Sequence, residues 1–491
     1  MPAPTDDSKH TDFSERVSVR LLISTYLIYF ILTLVAHVRD LIAKLVYPND
    51  FSHLRVSNGI APLTSDFESI YIRRIYHRIR DCWNRPITGV PSSMINILIR
   101  KSKDYNDTFE YTGESRSCIN LASYNYLGFS QPEGPCQSAA LSSLSKYGVS
   151  IGAPILDLGK SPLLQELEES VAKFLSVEAA MVCAMGFATN STSLPVLAEG
   201  PGTIIISDEL NHSSLIFGAR LSGSLIRVFR HNDTADLERL LRDVIVKGQP
   251  KTRRPWNKII VVIEGLYSME GHFAPLPAIV QLKEKYKFYL FLDEAHSIGA
   301  VGPHGRGICD WFGVDTKKID ILMGTFTKSF GASGGYIAGK KELVDYLRAF
   351  GHSYAYCEPL APPVCQHILK ALALVDGKEG KDRIYSLFKN SKYFRDALIA
   401  SGLVVGGAIG SPVVPMLIFQ PTTMAAFSRR LLDKGVAVVV VGYPATPINQ
   451  CRARFCMTSH HSKEDLDFAL DAILDVADEL AIARSSFSPA T

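Results

Sequence analysis

Lys328 lies in Gly324-Thr-Phe-Thr-Lys328-Ser-Phe-Gly331, straight after an apolar run and among small residues. The carboxyl end of a buried strand is where α/β folds place reactive groups. Partly stripped of water, a lysine amine is a carbonyl nucleophile that forms Schiff bases. Alone, this would be a loop lysine. Upstream, however, Phe288-Tyr-Leu-Phe-Leu-Asp293-Glu-Ala-His296 is a second apolar run that ends in a carboxylate. A buried Asp keeps a pyridine nitrogen protonated and makes such a ring an electron sink. Asp293 fits that role, with His296 three residues on. A helix cap would explain Asp293 by itself, but not its pairing with the lysine run.

Two weaker signals follow other apolar runs. Ser207-Asp-Glu-Leu-Asn-His212 offers an imidazole that can stack on a flat ring, although a lone His is more often structural. Ala184-Met-Gly186-Phe187-Ala-Thr-Asn190 reads as a strand-to-helix turn whose free N–H groups suit a phosphate. Amine, carboxylate, flat-ring partner and phosphate seat together describe pyridoxal phosphate. There is no GxGxxG with a downstream acid, no Walker lysine and no metal-ligand spacing; His460-His461 reads as a strand-to-helix turn.

The elements that must position these residues are legible as short apolar runs: 179–184, 203–207, 225–229, 258–264, 288–293 and 319–324. They are continuous rather than alternating, as in strands buried on both faces. Connections long enough for crossovers separate them, which predicts an α/β unit with a mostly parallel sheet. Further on, runs at 412–419, 436–441 and 453–458 precede a helix with Ser462 as N-cap and Asp465 three residues later. These predict a smaller α+β C-terminal domain. A helix is also expected over 66–84, with Phe67, Ile70, Ile75 and Ile79 on one face, and residues 485–491 are expected to fray. The chain is divided as 1–60, 61–115 (a segment packing on the core), 116–365 (large domain) and 366–491 (small domain).

Leu21 to Ala36 carries no charge, and with His37 and Val38 it approaches the length of a membrane span. A single anchor over about 20–38 is expected; an in-plane helix and a cleaved signal are the alternatives. Basic residues balance across it, so charge bias does not orient it. The 491 residues carry 52 Lys plus Arg against 49 Asp plus Glu, a net charge of +3, which speaks against nucleic acid as a partner. The mean hydropathy of +0.10 fits one apolar segment plus a large core. Nine cysteines without a CxxC pair read as reduced core residues.

The order of phosphate turn, His212, Asp293-x-x-His296 and Lys328 in Gly-Thr-Phe-Thr-Lys-Ser-Phe-Gly resembles the α-oxoamine synthases. These are fold-type-I pyridoxal-phosphate enzymes that condense an amino acid with an acyl-CoA and release CO₂. The likeness covers about residues 60–480. Three stretches narrow it: Ile79-Arg-Asp-Cys-Trp-Asn-Arg-Pro86, Gly248-Gln-Pro-Lys-Thr-Arg-Arg-Pro-Trp256 and Val438-Val-Val-Val-Gly-Tyr-Pro-Ala-Thr-Pro447. They resemble the lysine-bearing subunits of eukaryotic serine palmitoyltransferases. That resemblance implies L-serine and palmitoyl-CoA as substrates. It also implies a lysine-less sister subunit, and a cytosolic catalytic body on the endoplasmic reticulum membrane.

By the same resemblance, Lys328 holds the cofactor and moves the α-proton, Asp293 pairs with the pyridine nitrogen, and His212 stacks on the ring. His296 and Ser268 face the phenolic oxygen. Gly186, Phe187 and Thr325 help seat the phosphate and ring. Arg454 grips the substrate carboxylate, with Arg452 in reserve, and Asn125 lies near the substrate. The chain departs from the pattern in two places. Ile155 and Leu164 stand where an Arg and a His are expected, and Tyr356-Cys-Glu358 replaces a hydroxyl-bearing run. Drift of residues that would serve a sister subunit's inactive site explains this; altered activity of this chain is the other reading. Another α-oxoamine synthase, or a scaffold subunit, is the competing function.

Overall fold

The computed structural model describes residues 19–484, apart from 57, 58, 60, 63, 64 and 67–69. In chain order the strands are β1 (Ile87–Thr88), β2 (Met94–Lys101), β3 (Glu110–Asn120), β4 (Ala179–Cys183), β5 (Thr203–Asp208), β6 (Leu225–Phe229) and β7 (Lys258–Glu264). They continue with β8 (Tyr289–Asp293), β9 (Ile321–Thr325), β10 (Gly335–Gly339), β11 (Val413–Phe419), β12 (Val436–Ala437), β13 (Val439–Val441) and β14 (Cys451–Cys456).

The six apolar runs all become strands of one seven-stranded sheet, ordered β4-β10-β9-β8-β7-β5-β6. β5 to β9 run parallel, and β8, for example, buries Leu290 through Asp293. The seventh strand, β10, lies antiparallel between β4 and β9. Its glycine-bounded pentapeptide carries no long apolar run, so the sequence pattern did not mark it. A glycine is required there: a Cβ on Gly335 would sit 2.7 Å from Thr189 Oγ1 and 2.8 Å from the Gly324 carbonyl. Because the strands are parallel, β5, β7, β8 and β9 deliver their carboxyl ends to one edge. Glu264 and Asp293 are register partners there.

The expected run 436–441 splits into two strands in different sheets. β12 pairs in parallel with β3 in the sheet β1-β2-β3-β12, whereas β13 pairs with β14 in the sheet β11-β14-β13. The N-terminal segment thus shares a sheet with the C-terminal part of the chain. The helix Pro362–Val375 runs unbroken through residues 365 and 366. The final helix, Lys463–Glu479, has the expected capping box between Ser462 and Asp465. Residues 485–491 lie outside the described residues.

All nine cysteines are free, and eight are buried; Cys357 is exposed. The helix expected over 66–84 is irregular. It is widened over Tyr71–Tyr76, regular over His77–Ile79 and tightened over Arg80–Cys82. Phe67 lies outside the described residues, while Ile70, Ile75 and Ile79 are half-buried. The distortion has a visible correlate: consecutive side chains normally diverge on a helix, yet Arg73 and Arg74 both reach Asp40, each at 3.0 Å.

Asp40 belongs to the N-terminal helix Val19–Val46, which extends past the expected end at 38. Among the described residues it is the one helix long and apolar enough to cross a membrane. Thr25, Tyr29, Ala36 and Asp40 form a buried stripe on it. Tyr29 reaches Cys451 Sγ at 3.3 Å, and Asp40 also takes Lys44 at 2.8 Å. The other faces expose Ile23, Leu27, Phe30, Ile31, Leu34 and Leu41.

Candidate active site

Asp293 closes β8 and is 3 % exposed. Its Oδ2 accepts from Asn190 Nδ2 at 2.7 Å and its Oδ1 from the Ala295 N–H at 2.8 Å. The carboxylate is therefore oriented from two sides. Asn190 lies one turn into the helix Gly186–Leu197 that follows β4. Its amide also donates to Ser214 Oγ at 2.9 Å. Ser214 Oγ is 2.7 Å from His212 Nδ1, which accepts from the Ser214 backbone N–H at 3.2 Å. The Ser214 hydroxyl then donates to Nδ1, which leaves the imidazole proton on Nε2. A chain of hydrogen bonds thus runs from His212 through Ser214 and Asn190 to Asp293. His212 is also the N-cap of the helix Ser213–Leu221, and its backbone N–H donates to the buried carboxylate of Glu264. Burial pushes the His212 pKa down, with the nearby Lys328 charge adding to the effect. Burial, reinforced by the charge of Asp293, pushes the Glu264 carboxyl well above its ordinary range.

Lys328 stands three residues past the end of β9. Burial lowers its pKa, and the charges of Asp293 and Glu264 oppose that shift. Its Nζ is 5.9 Å from the centre of the Tyr124 ring. The same ring carries the Arg454 guanidinium at 4.7 Å and meets the His296 ring edge-on at 5.0 Å. His296 Nδ1 shares a 2.9 Å hydrogen bond with the fully buried Tyr126 hydroxyl. Burial, followed by the Lys328 charge, pushes the His296 pKa well down. Tyr124 is thus a hub between amine, imidazole and guanidinium.

Arg452 and Arg454 project from the same face of β14, two residues apart, but they are not equivalent. Arg452 donates to the Met269 carbonyl at 2.9 Å, Glu270 Oε1 at 3.2 Å, Gln450 Oε1 at 2.8 Å and the Gln450 carbonyl at 3.1 Å. Arg454 is 4 % exposed, donates to Met269 Sδ at 3.4 Å, interacts with the Tyr124 hydroxyl and the Cys456 thiol, and keeps a buried Nε without a partner; among the described residues no acid pairs with it. A buried guanidinium lacking an acid is costly unless something anionic arrives to pair with it.

The remaining expected residues divide into two groups. Gly186 opens its helix against β9, and a Cβ there would lie 3.1 Å from Thr325 Cγ2. Phe187 meets His212 edge-on at 6.1 Å. Thr325 is buried, with its hydroxyl turned to the Ala295 carbonyl at 3.4 Å. These lie around the Asp293 end of the site. Ser268 is buried in the turn after β7, next to Met269. Asn125 differs: its amide is used on both sides by backbone, donating to the Pro91 carbonyl at 2.9 Å and accepting from the Ser130 N–H at 3.3 Å. Asn190, Ser214, Glu264 and Tyr124 were not singled out from sequence. Asn190 closes the quoted strand-to-helix turn and Tyr124 precedes Asn125, but nothing in their spacing marks them.

These residues fit pyridoxal phosphate. An oriented buried carboxylate suits the pyridine nitrogen, and a desolvated amine suits the carbonyl carbon. The helix N-terminus at Gly186, kept open by the absence of a side chain, suits the phosphate. Of the departures, Ile155 and Leu164 are core residues, 4 % and 1 % exposed, while Glu358 is on the surface. The Ile155 N–H donates to the Cys357 carbonyl at 3.4 Å, so the two departing stretches touch.

Residues 116–473 match the family described as Aminotransferase class I and II. Serine palmitoyltransferase 2 of Schizosaccharomyces pombe is 47 % identical over 485 residues, covering 98 % of this chain and 80 % of that protein. Human serine palmitoyltransferase 3 is 47 % identical, with 96 % and 86 % covered. Long chain base biosynthesis protein 2a of Arabidopsis thaliana is 46 % identical, with 93 % of each covered. Among solved structures, Sphingomonas wittichii serine palmitoyltransferase superposes with a TM-score of 0.76 at 25 % identity, over 86 % of this chain and all of that one. The chain therefore belongs to the class I and II aminotransferase family, within it to the serine palmitoyltransferases, and has their pyridoxal-phosphate fold.

Proposed function

We propose that this chain catalyses the decarboxylating condensation of L-serine with palmitoyl-CoA to 3-ketosphinganine, the first step of sphingolipid synthesis. The observation that carries the reading is Arg454: a buried guanidinium with no acid paired to it among the described residues, on the same Tyr124 ring that the lysine amine approaches. Lys328 and Asp293 would hold pyridoxal phosphate, with Gly186 and Thr325 at its phosphate end, and the bound group would supply an electron sink for the bonding pair at serine Cα. His212 would cover the ring as a neutral imidazole. Lys328, its amine made less basic by burial, would take the Cα proton. Arg454 would grip the serine carboxylate in a two-pronged contact and fix the orientation of the groups on Cα. The attacked thioester releases CoA as the new carbon–carbon bond forms. Ser268 and His296 would serve the phenolic-oxygen side. The double engagement of Asn125 supports a role in holding the loop beside the substrate rather than in direct contact.

A sister subunit without the lysine is part of the reading. The departing stretches lie together, next to exposed Leu156, Leu158 and Tyr356. Apolar side chains in that density on a surface suit a protein partner. The exposed faces of the N-terminal helix likewise suit lipid, consistent with a cytosolic body on the endoplasmic reticulum membrane.

The test is co-expression with the sister subunit and assay of long-chain base formation from serine and palmitoyl-CoA. In that assay Arg454→Ala is expected to raise the serine KM by about a hundredfold, from the loss of a bidentate charged contact, with little change for palmitoyl-CoA. Turnover of glycine with a short acyl-CoA by the chain alone would instead favour another α-oxoamine synthase.

A further inference from the structure

The residue that reads as Arg454's understudy has a different job. Arg452 is fully buried, 0 % exposed, and ties β14 to the turn after β7. That turn is a tight hairpin closed by Leu266 and Phe273, with Gly271 at φ +67. A Cβ on Gly271 would lie 2.7 Å from the Val413 carbonyl, so the hairpin is pressed into β11. Glu270, 8 % exposed, is the acid of the pair. Burial pushes its carboxyl above the ordinary range; Arg452 and His231 oppose that shift, and the nearby Asp208 adds to it. Met269, one residue earlier, supplies both the carbonyl that Arg452 holds and the sulfur that Arg454 touches. Arg454 has no acid of its own to aim it. Its direction depends on its strand, on Met269 and on the Tyr124 ring.

We propose that Glu270 and Arg452 form a positioning clamp that aims Arg454 at the carboxylate of the amino-acid substrate. The inference rests on the carboxylate role given to Arg454 above. The clamp joins the segment after β7, which belongs to the cofactor-bearing sheet, to the strand that carries the substrate arginine. It therefore sets the distance between the two halves of the site. A fork–fork contact needs both oxygens of the carboxylate in line, so a small rotation of the guanidinium forfeits most of it.

The test uses the full chain co-expressed with its sister subunit and loaded with cofactor. Binding of L-serine and of serinol, which lacks the carboxylate, is followed by the change in cofactor absorbance. Glu270→Gln keeps the shape and one hydrogen bond but removes the charge. It is expected to weaken L-serine about tenfold while leaving serinol unchanged, with cofactor content as in the parent. Arg454→Lys is expected to narrow the same preference, and Glu270→Gln on that background should add nothing. If Glu270→Gln weakens both compounds equally, or lowers only the thermal midpoint, the pair is structural and the proposal fails. If Arg454→Lys itself leaves the preference for L-serine intact, the carboxylate assignment fails instead.

Discussion

With Lys328 replaced by Ala, turnover is expected to fall by at least about ten-thousandfold, because one side chain supplies both covalent attachment and proton transfer. The expectation rests on geometry. No other lysine stands at the carboxyl edge of the seven-stranded sheet among the described residues discussed above. Arg454 and the two histidines nearby do not replace an amine as carbonyl nucleophile. The surroundings keep the amine usable: burial lowers its pKa, while Asp293 and Glu264 limit the fall. Borohydride reduction followed by peptide mass measurement should find a cofactor adduct on the Lys328 peptide of the parent and none in the variant. Parent-like turnover by Lys328→Ala would make the chain a scaffold rather than the catalyst.

Asp293→Asn should cost about a thousandfold in turnover, in the range seen when one preorganised electrostatic contact is removed. The substitution is nearly isosteric, so the fold has little reason to change. What changes is the charge, and the fit to its donors. Asn190 Nδ2 and the Ala295 N–H both point at acceptor oxygens. An amide can satisfy one of them but turns its own NH₂ toward the other. It also lacks the negative charge needed to keep a proton on a pyridine nitrogen. Cofactor content, measured by absorbance, is expected to remain near the parent value because Lys328 and the helix at Gly186 still hold it. A variant within tenfold of the parent rate would remove Asp293 from the proposed role.

The strands were legible because burial on both faces leaves a continuous apolar run, and parallel strands put their reactive ends on one edge. That rule marked Lys328, Asp293 and His212 as candidates, but only their combination and the family resemblance gave them roles. β10 escaped it because a five-residue strand between glycines has no such run. The stretch 436–441 read as one strand because its valines are uniform, yet it serves two sheets. Residues that act through partners were not legible. Asn190 touches Asp293 across 103 positions of sequence, and no local pattern announces it. Arg452 and Arg454 look alike in the chain; only their hydrogen bonds separate a saturated guanidinium from an available one. Asn125, which the resemblance placed near the substrate, spends one donor and one acceptor bond of its amide on the Pro91 carbonyl and the Ser130 N–H.

Besides Leu21, which packs on Val404, Leu417 and Phe419, the N-terminal helix is bonded to the body through Tyr29 to Cys451 and through Asp40 to Arg73 and Arg74. These points are about 16 Å apart along the helix axis. A rod pinned twice does not swivel. The helix therefore keeps one fixed heading relative to the body. Cys451 also begins the strand that carries Arg454, so the helix braces one wall of the site. Removing the helix is expected to loosen that strand as well.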